Sequence, residues 1–420
     1  MRHPGQNRAE RTSSERFLGS RAGTAVAAAA LVASAALTLV LLAGNDYIDL
    51  LVYRMGATVL LDGDDIYGAL PPVTGDFGLP FTYPPLSAML FVPLAWLPLG
   101  IGKLLFALVS IAALVVTLRL ALGRVWPELE PRAAWTVTGI AVAVALQLEP
   151  VRETISFGQI NMVLMALVAA DVLTDKPRWP RGLLIGFAAA IKLTPIGFLL
   201  LFLIRKDWRT SRTVVVSAVG FTALAFVVLP GTSWKYWSQT LPDTGRIGPA
   251  YFANNESFKA VIARFGPPEQ IGSVLWLVAV ALMLLVTVIA IRRALERGDL
   301  VSALLANATA ILLASPVSWS HHWVWAAPAL LVLALGTLRA PTARNIIATI
   351  GIGVVFLIGP QHLLPIGADR ELDWALWQHL LGTLYVTIGV GYLVWLACTT
   401  RDQEGRPATP SRKGAPRSRA

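Results

Sequence analysis

The stretch 47-YIDLLVY-53 holds one carboxylate, Asp49, among apolar and aromatic residues. An ion pair or a helix cap would not need an acid embedded in such a strip. Low-dielectric surroundings disfavour the charged form and raise a carboxyl's proton affinity. That suits Asp49 to take a proton from a hydroxyl near neutral pH, the work of a general base. Tyr53 lies four residues on and shares the same face if the segment is helical. Arg54 is the only cation between residues 44 and 83, a stretch that carries six Asp. Asp62, Asp64 and Asp65 in 61-LDGDDIY-67 read more simply as a helix end, a Gly turn and a new helix start.

Further polar groups stand in apolar runs, where each is expensive and therefore a candidate for function. Gln159 and Asn161 open the apolar segment 156-SFGQINMVLMALVAAD-171, and Lys192 lies inside 182–204. Capping accounts for one amide; two amides and a mid-span lysine suggest a polar cavity. A phosphate is one natural partner for Lys192, and a carboxylate such as Asp171 is another. His321 and His322 stand in 315-SPVSWSHHWVW-325, in a chain with only three other histidines. Adjacent helical residues point in different directions, so one ring can pack while the other meets a phosphate or a sugar. No third ligand at zinc-site spacing is apparent, and neither a metal nor a cofactor is expected. Asn255, Glu256 and Ser257 precede an apolar-periodic run; they read as a helix cap or as contacts to a polyol. Tyr83-Pro84-Pro85 reads as a rigid entry to the next apolar segment.

Such groups need a frame, and composition says which. Of 420 residues, 55% are hydrophobic and only 14% charged, with a mean hydropathy of +0.62. Soluble domains carry about 25% charged residues. An all-α polytopic membrane protein is expected, with about twelve spans: 23–43, 84–98, 101–121, 133–148, 159–174, 182–204, 212–230, 271–291, 300–315, 320–338, 343–360 and 376–397. The first run is too long for a signal-peptide core and is read as a retained span. The single cysteine, Cys398, excludes internal disulfides and cysteine metal sites.

The net charge of +10 is not a nucleic-acid signal, because the tails 1–22 and 398–420 supply most of it. Both tails read as disordered and, by the positive-inside rule, as cytoplasmic, beside anionic lipid. The span count is then even, and 23–397 forms one unit of the cell membrane. Loops 44–83 (large and acidic), 231–270, 316–322 and 361–375 fall on the external face. One region resists this scheme. Simple alternation puts Lys176, Arg178 and Arg181 outside. If they are inside, 182–204 must be two short helices meeting at 191-IKLTP-195, and an earlier segment, with 84–98 the candidate, must be re-entrant.

An acid, amides and imidazoles on the outer face of a bundle suit a polyhydroxylated substrate or a phosphodiester at the membrane surface. No G-x-x-x-x-G-K-[ST] loop for soluble nucleotides is present. A lipid-linked-sugar flippase would share the spans and buried polar groups. It would also predict broken helices paired in two related halves, a symmetry this chain lacks.

Asp49-x-x-Val52-Tyr53-x-x-Gly56, Leu60-Leu61-Asp62-Gly63-x-Asp65-Ile66-Tyr67 and Phe81-Thr82-Tyr83-Pro84-Pro85 resemble the polyprenol-phosphate-mannose-dependent mannosyltransferases of actinobacteria. So do Gly158-Gln159-x-Asn161, Ala190-Ile191-Lys192-Leu193-Thr194-Pro195, Asn255-x-Ser257 and Ser315-Pro316-x-Ser318-Trp319-x-His321-His322-Trp323. Those enzymes are integral membrane glycosyltransferases of the GT-C superfamily. The resemblance implies a polyprenyl-phosphate-mannose donor outside the membrane and a mannosylated glycolipid acceptor. That acceptor is a phosphatidylinositol mannoside or the mannan of lipomannan and lipoarabinomannan. It also implies an α-(1→2) link made with inversion, and Asp49 as base. Arg54, Lys192, His321 and His322 are then expected at the donor phosphate or sugar. Tyr53, Gln159, Asn161, Asn255, Glu256 and Ser257 are expected at the acceptor sugars. Glu256 stands where the family pattern has Gln.

Overall fold

In the computed structural model, residues 13–42, 44–72 and 78–399 are described. Most of the basic tails and Asp76 lie outside these residues. Ser13–Leu18 forms a short helix, and the first long helix starts at Arg21. Among the described residues there is no strand, only an isolated antiparallel bridge between Asn255 and Trp319.

Among the described residues five helices are long and apolar enough to cross a membrane: Arg21–Val40, Leu99–Val125, Trp208–Val228, Glu269–Glu296 and Ser320–Arg339. The bent pair Pro131–Ala145 and Glu149–Phe157 makes a sixth. Their outer faces stay apolar. Val227 is 80% exposed, and Val216, Val219, Leu282 and Leu285 are similarly open. Apolar surface on this scale is stable only against lipid or another protein. The largest core gathers around Leu99–Val125, Asn161–Leu173 and Leu300–Ala314, and a smaller one lies around helix Ile48–Leu61.

Twelve separate spans are not confirmed, and two segments show why. Segment 84–98 forms the short helix Pro85–Trp96, with Pro93 inside it. Both its ends stay against helix Ile48–Leu61: Tyr83 beside Tyr53, and the carbonyls of Leu94 and Leu97 on Arg54.

Segment 182–204 is broken. Helix Leu183–Ile191 stops at Lys192, whose backbone is extended, and a 3-10 turn Thr194–Phe198 leads into Leu199–Ile204. Pro195 removes a helical donor there. Buried Asn307 repairs the break, taking Leu201 N–H (3.0 Å) and donating to Gly197 O (3.0 Å). A break at membrane depth needs such partners. At one end Asp171 accepts from the N–H groups of Gly182 and Ile185 (2.9 and 3.0 Å). At the other end Arg205 lies within electrostatic reach of Arg181 and Arg124. The two ends of the segment, at Arg181 and Arg205, therefore lie near one another, with Lys192 between them in the chain.

Arg124, Arg181, Arg205 and Arg339 share that basic end, tied by an Arg124–Asp175 pair (2.6 Å) and by Arg339 on Val125 O (2.8 Å). At the opposite end, Glu149–Phe157 turns 75° from the preceding helix. It closes at Gly158, φ +66°, whose added Cβ would stand 2.6 Å from Leu50.

Candidate active site

Helix Ile48–Leu61 starts from Tyr47, held in left-handed backbone at φ 54°, ψ 49°. Bulky residues rarely sit there. Lys103 braces the turn, donating to Asn45 O (3.1 Å) and lying 4.7 Å over the Tyr47 ring. Asp49 thus falls in the first helical turn, where unpaired N–H groups favour a carboxylate.

Asp49 keeps partial access while protein surrounds most of it. Burial pushes its carboxyl up to about 7, against the opposing pull of the Lys192 ammonium and a hydrogen bond from Gln159. The Gln159 orientation follows from its other contacts. Its Oε1 lies 2.9 Å from the Tyr53 hydroxyl and 3.0 Å from that of Tyr83, and the two hydroxyls are 2.9 Å apart. With the carbonyl so occupied, the amide nitrogen is the group left to donate to Asp49.

Lys192 faces this network. Its ammonium donates to Asn161 Oδ1 (3.0 Å), stands 3.3 Å from His322 Nε2 and lies 5.3 Å over the Tyr83 ring. Asp171 is not its partner, since that carboxylate caps the far end of segment 182–204. Asn161 Nδ2 and Thr154 Oγ1 both donate to His321 O (3.0 and 2.8 Å). The His321 ring is buried edge-on to Phe157, whereas His322 turns to Lys192. Below this pair a cleft opens between Leu164, Met165, Val168, Phe198 and Ile311. It joins a cation and an imidazole to an apolar groove.

The structure thus gathers Asp49, Tyr53, Gln159, Asn161, Lys192, His321 and His322. It places others elsewhere. Arg54 spends its guanidinium on the carbonyls of Leu94 and Leu97. Asn255, Glu256 and Ser257 are all buried. Asn255 bonds backbone of Ala250, Pro316 and Ser318, and Ser257 caps helix Phe258–Ala263. Burial pushes the Glu256 carboxyl, in the loop 231–270, up to about 8 despite nearby Arg264. Tyr83 and Thr154 join the site unannounced. Tyr83 could have been found as a hydroxyl between aromatic and proline neighbours; Thr154 carries no local signal. Among the described residues no three His, Cys, Asp or Glu side chains converge as metal ligands would.

Glycosyltransferase family 87 matches residues 81–316. A "polyprenol-phosphate-mannose-dependent alpha-(1-2)-phosphatidylinositol mannoside mannosyltransferase" of Mycolicibacterium smegmatis is 39% identical over 390 residues, covering 85% of this chain and 86% of the relative. The chain belongs to glycosyltransferase family 87. A Mycobacterium tuberculosis protein with the same description is 37% identical, covering 88% of this chain and 89% of its own. A "phosphatidylinositol pentamannoside mannosyltransferase" of the same species is 33% identical, covering 87% of this chain and 84% of its own. No solved structure matches significantly. This family 87 member is therefore a membrane glycosyltransferase, and its gathered polar groups are the place to seek its chemistry.

Proposed function

We propose that this chain transfers mannose from polyprenyl-phosphate mannose to a mannose hydroxyl of a phosphatidylinositol mannoside or a related lipoglycan. The new link is α-(1→2) and forms with inversion. The carrying observation is the pairing across the site: Asp49 on one side of Gln159 and Tyr83, Lys192 with His322 on the other. Asp49 takes the acceptor hydroxyl proton. The new C1–O bond forms as the bond from C1 to the phosphate oxygen breaks from the opposite face. Polyprenyl phosphate departs with that electron pair, and Lys192, beside His322, offsets its charge. It leaves without help from a general acid. The apolar cleft beneath them takes the polyprenyl chain, while Tyr53, Gln159 and Asn161 meet sugar hydroxyls.

The site end of the bundle is the external face in this reading, and the arginine-rich end is cytoplasmic. Removing 84–98 and 182–204 from the expected twelve spans leaves ten, an even number, so both termini stay on the cytoplasmic side. Printed names of the relatives support transfer over the flippase alternative.

Membranes containing wild type or Asp49→Asn, at equal protein, are given radiolabelled polyprenyl-phosphate mannose. A phosphatidylinositol mannoside and a short α-(1→6) mannan serve as acceptors in parallel. Label moves with wild type and not with the variant, and the acceptor labelled identifies the product. Equal transfer by both proteins rules out Asp49 as base. Labelling of neither acceptor returns the flippase to consideration.

A further inference from the structure

We propose that Arg264 and the segment Asn254–Ser257 are positioning residues for His322, holding its turn in place rather than touching the acceptor sugar. This rests on the mannosyl-transfer reading above.

Arg264 is fully buried, at 0% exposure. Its guanidinium donates to the carbonyls of Tyr251 (3.2 Å), Phe252 (3.2 Å), Ala253 (2.8 Å), Asn255 (2.6 Å) and Gly382 (3.1 Å). It also lies 5.2 Å from the Trp374 ring. A guanidinium presents five donors in a rigid plane and keeps its charge inside a protein. Four carbonyls of one short loop converging on it force residues 251–255 to curl around that plane. The Glu256 side chain lies beside it, with Oε1 3.9 Å from Arg264.

The curled loop then grips the histidine turn. Glu256 N–H donates to Ser318 O (2.8 Å), and Ser320 N–H to Asn254 O (2.7 Å). Ser318 N–H donates to Asn255 Oδ1 (2.9 Å), and Asn255 Nδ2 to Pro316 O (3.2 Å). Beyond the histidines, the Trp323 indole donates to Glu256 O (3.2 Å). His321 and His322 are therefore clamped on both flanks, while Thr154 and Asn161 hold His321 O from the opposite side. What this clamp leaves facing the site is the His322 ring, 3.3 Å from Lys192. A displacement of about 1 Å at such a group lowers turnover by roughly a hundredfold.

The test uses the full chain in membranes, titrating polyprenyl-phosphate mannose and phosphatidylinositol mannoside separately. Asn255→Ala and Arg264→Lys are expected to raise the donor KM and lower kcat, together about tenfold to a hundredfold in kcat/KM, with acceptor KM within about twofold of wild type. Lysine lacks the donors to hold the loop, so Arg264→Lys does not rescue. In a His322→Gln background, Asn255→Ala costs less than about twofold more, because residues acting as one unit are non-additive. A raised acceptor KM with donor KM unchanged overturns the proposal and makes the segment a sugar contact. Additive losses in the double variant overturn it too. If His322→Gln and Asp49→Asn both retain full transfer, it is the underlying site reading that fails. Abundance and melting temperature are matched throughout; should Arg264→Lys not accumulate, the Asn255 cycle decides alone.

Discussion

The Lys192 ammonium lies 3.3 Å from His322 Nε2, joining residues 130 apart in the chain. With the ammonium as donor, the imidazole accepts at Nε2 and is neutral. Two groups that would each be unfavourable alone in a membrane segment satisfy one another, and both remain available to an incoming phosphate.

Lys192→Met keeps the length and removes the charge. The expected loss in kcat/KM is about a hundredfold or more, the size seen when one preorganised charge-stabilising group is deleted. Lys192→Arg should recover part of it. Titrating the donor at fixed acceptor checks this, and an unchanged donor KM and kcat would remove Lys192 from the phosphate site.

With Asp49 as the proposed base, the reaction takes its pH dependence from that carboxyl. Its carboxyl is raised to about 7, so the free enzyme holds the base half protonated at that pH. A base works only when deprotonated. Log kcat/KM should therefore rise with unit slope below about pH 7 and flatten above it. A profile already flat from pH 5 upward would mean that another group takes the proton.

Asn307 supports the broken segment that follows Lys192. Asn307→Ala leaves Leu201 N–H and Gly197 O without partners at the broken span. A buried orphaned group destabilises by about 1–3 kcal/mol. Melting temperature in detergent should fall and transfer should drop with it. A variant as stable as wild type would show that water or lipid fills the role.

Glu256 links stability to pH. Its carboxyl is held at about 8 in the fold, above the usual carboxylate range, so the folded chain binds this proton more tightly than the unfolded one. That contribution is complete below the unfolded value and is lost as pH rises through about 8. Glu256→Gln should match wild type in melting temperature near pH 5 and exceed it near pH 8. Parallel curves for the two proteins would mean that Arg264 alone governs the site's charge.

The candidate site was partly legible because polar groups in apolar runs stand out one residue at a time. Asp49 among Ile48, Leu50 and Leu51, Lys192 within 182–204 and the His321–His322 pair are marked by the unfavourable transfer of such groups into low dielectric. That signal does not say where a side chain points. Arg54 is as conspicuous as Lys192, yet it is used up on the carbonyls of Leu94 and Leu97. Asn255 and Ser257 read equally as cap or sugar contact, and only the bridge to Trp319 turns them inward. Tyr83 was read as a shaper of backbone and proves a hydroxyl of the site.

By itself the sequence determined a helical membrane protein, an acid at the mouth of its first span and the family-like order of its motifs, because composition and hydropathy are local sums. Tertiary structure decided which apolar runs are continuous helices, since length alone does not distinguish an unbroken helix from one broken at Lys192 and repaired by Asn307. It also decided which polar residues meet. Hydrogen bonds act over about 3 Å, and only the packed bundle brings Asp49, Gln159, Lys192 and His322 within that range of one another's neighbours.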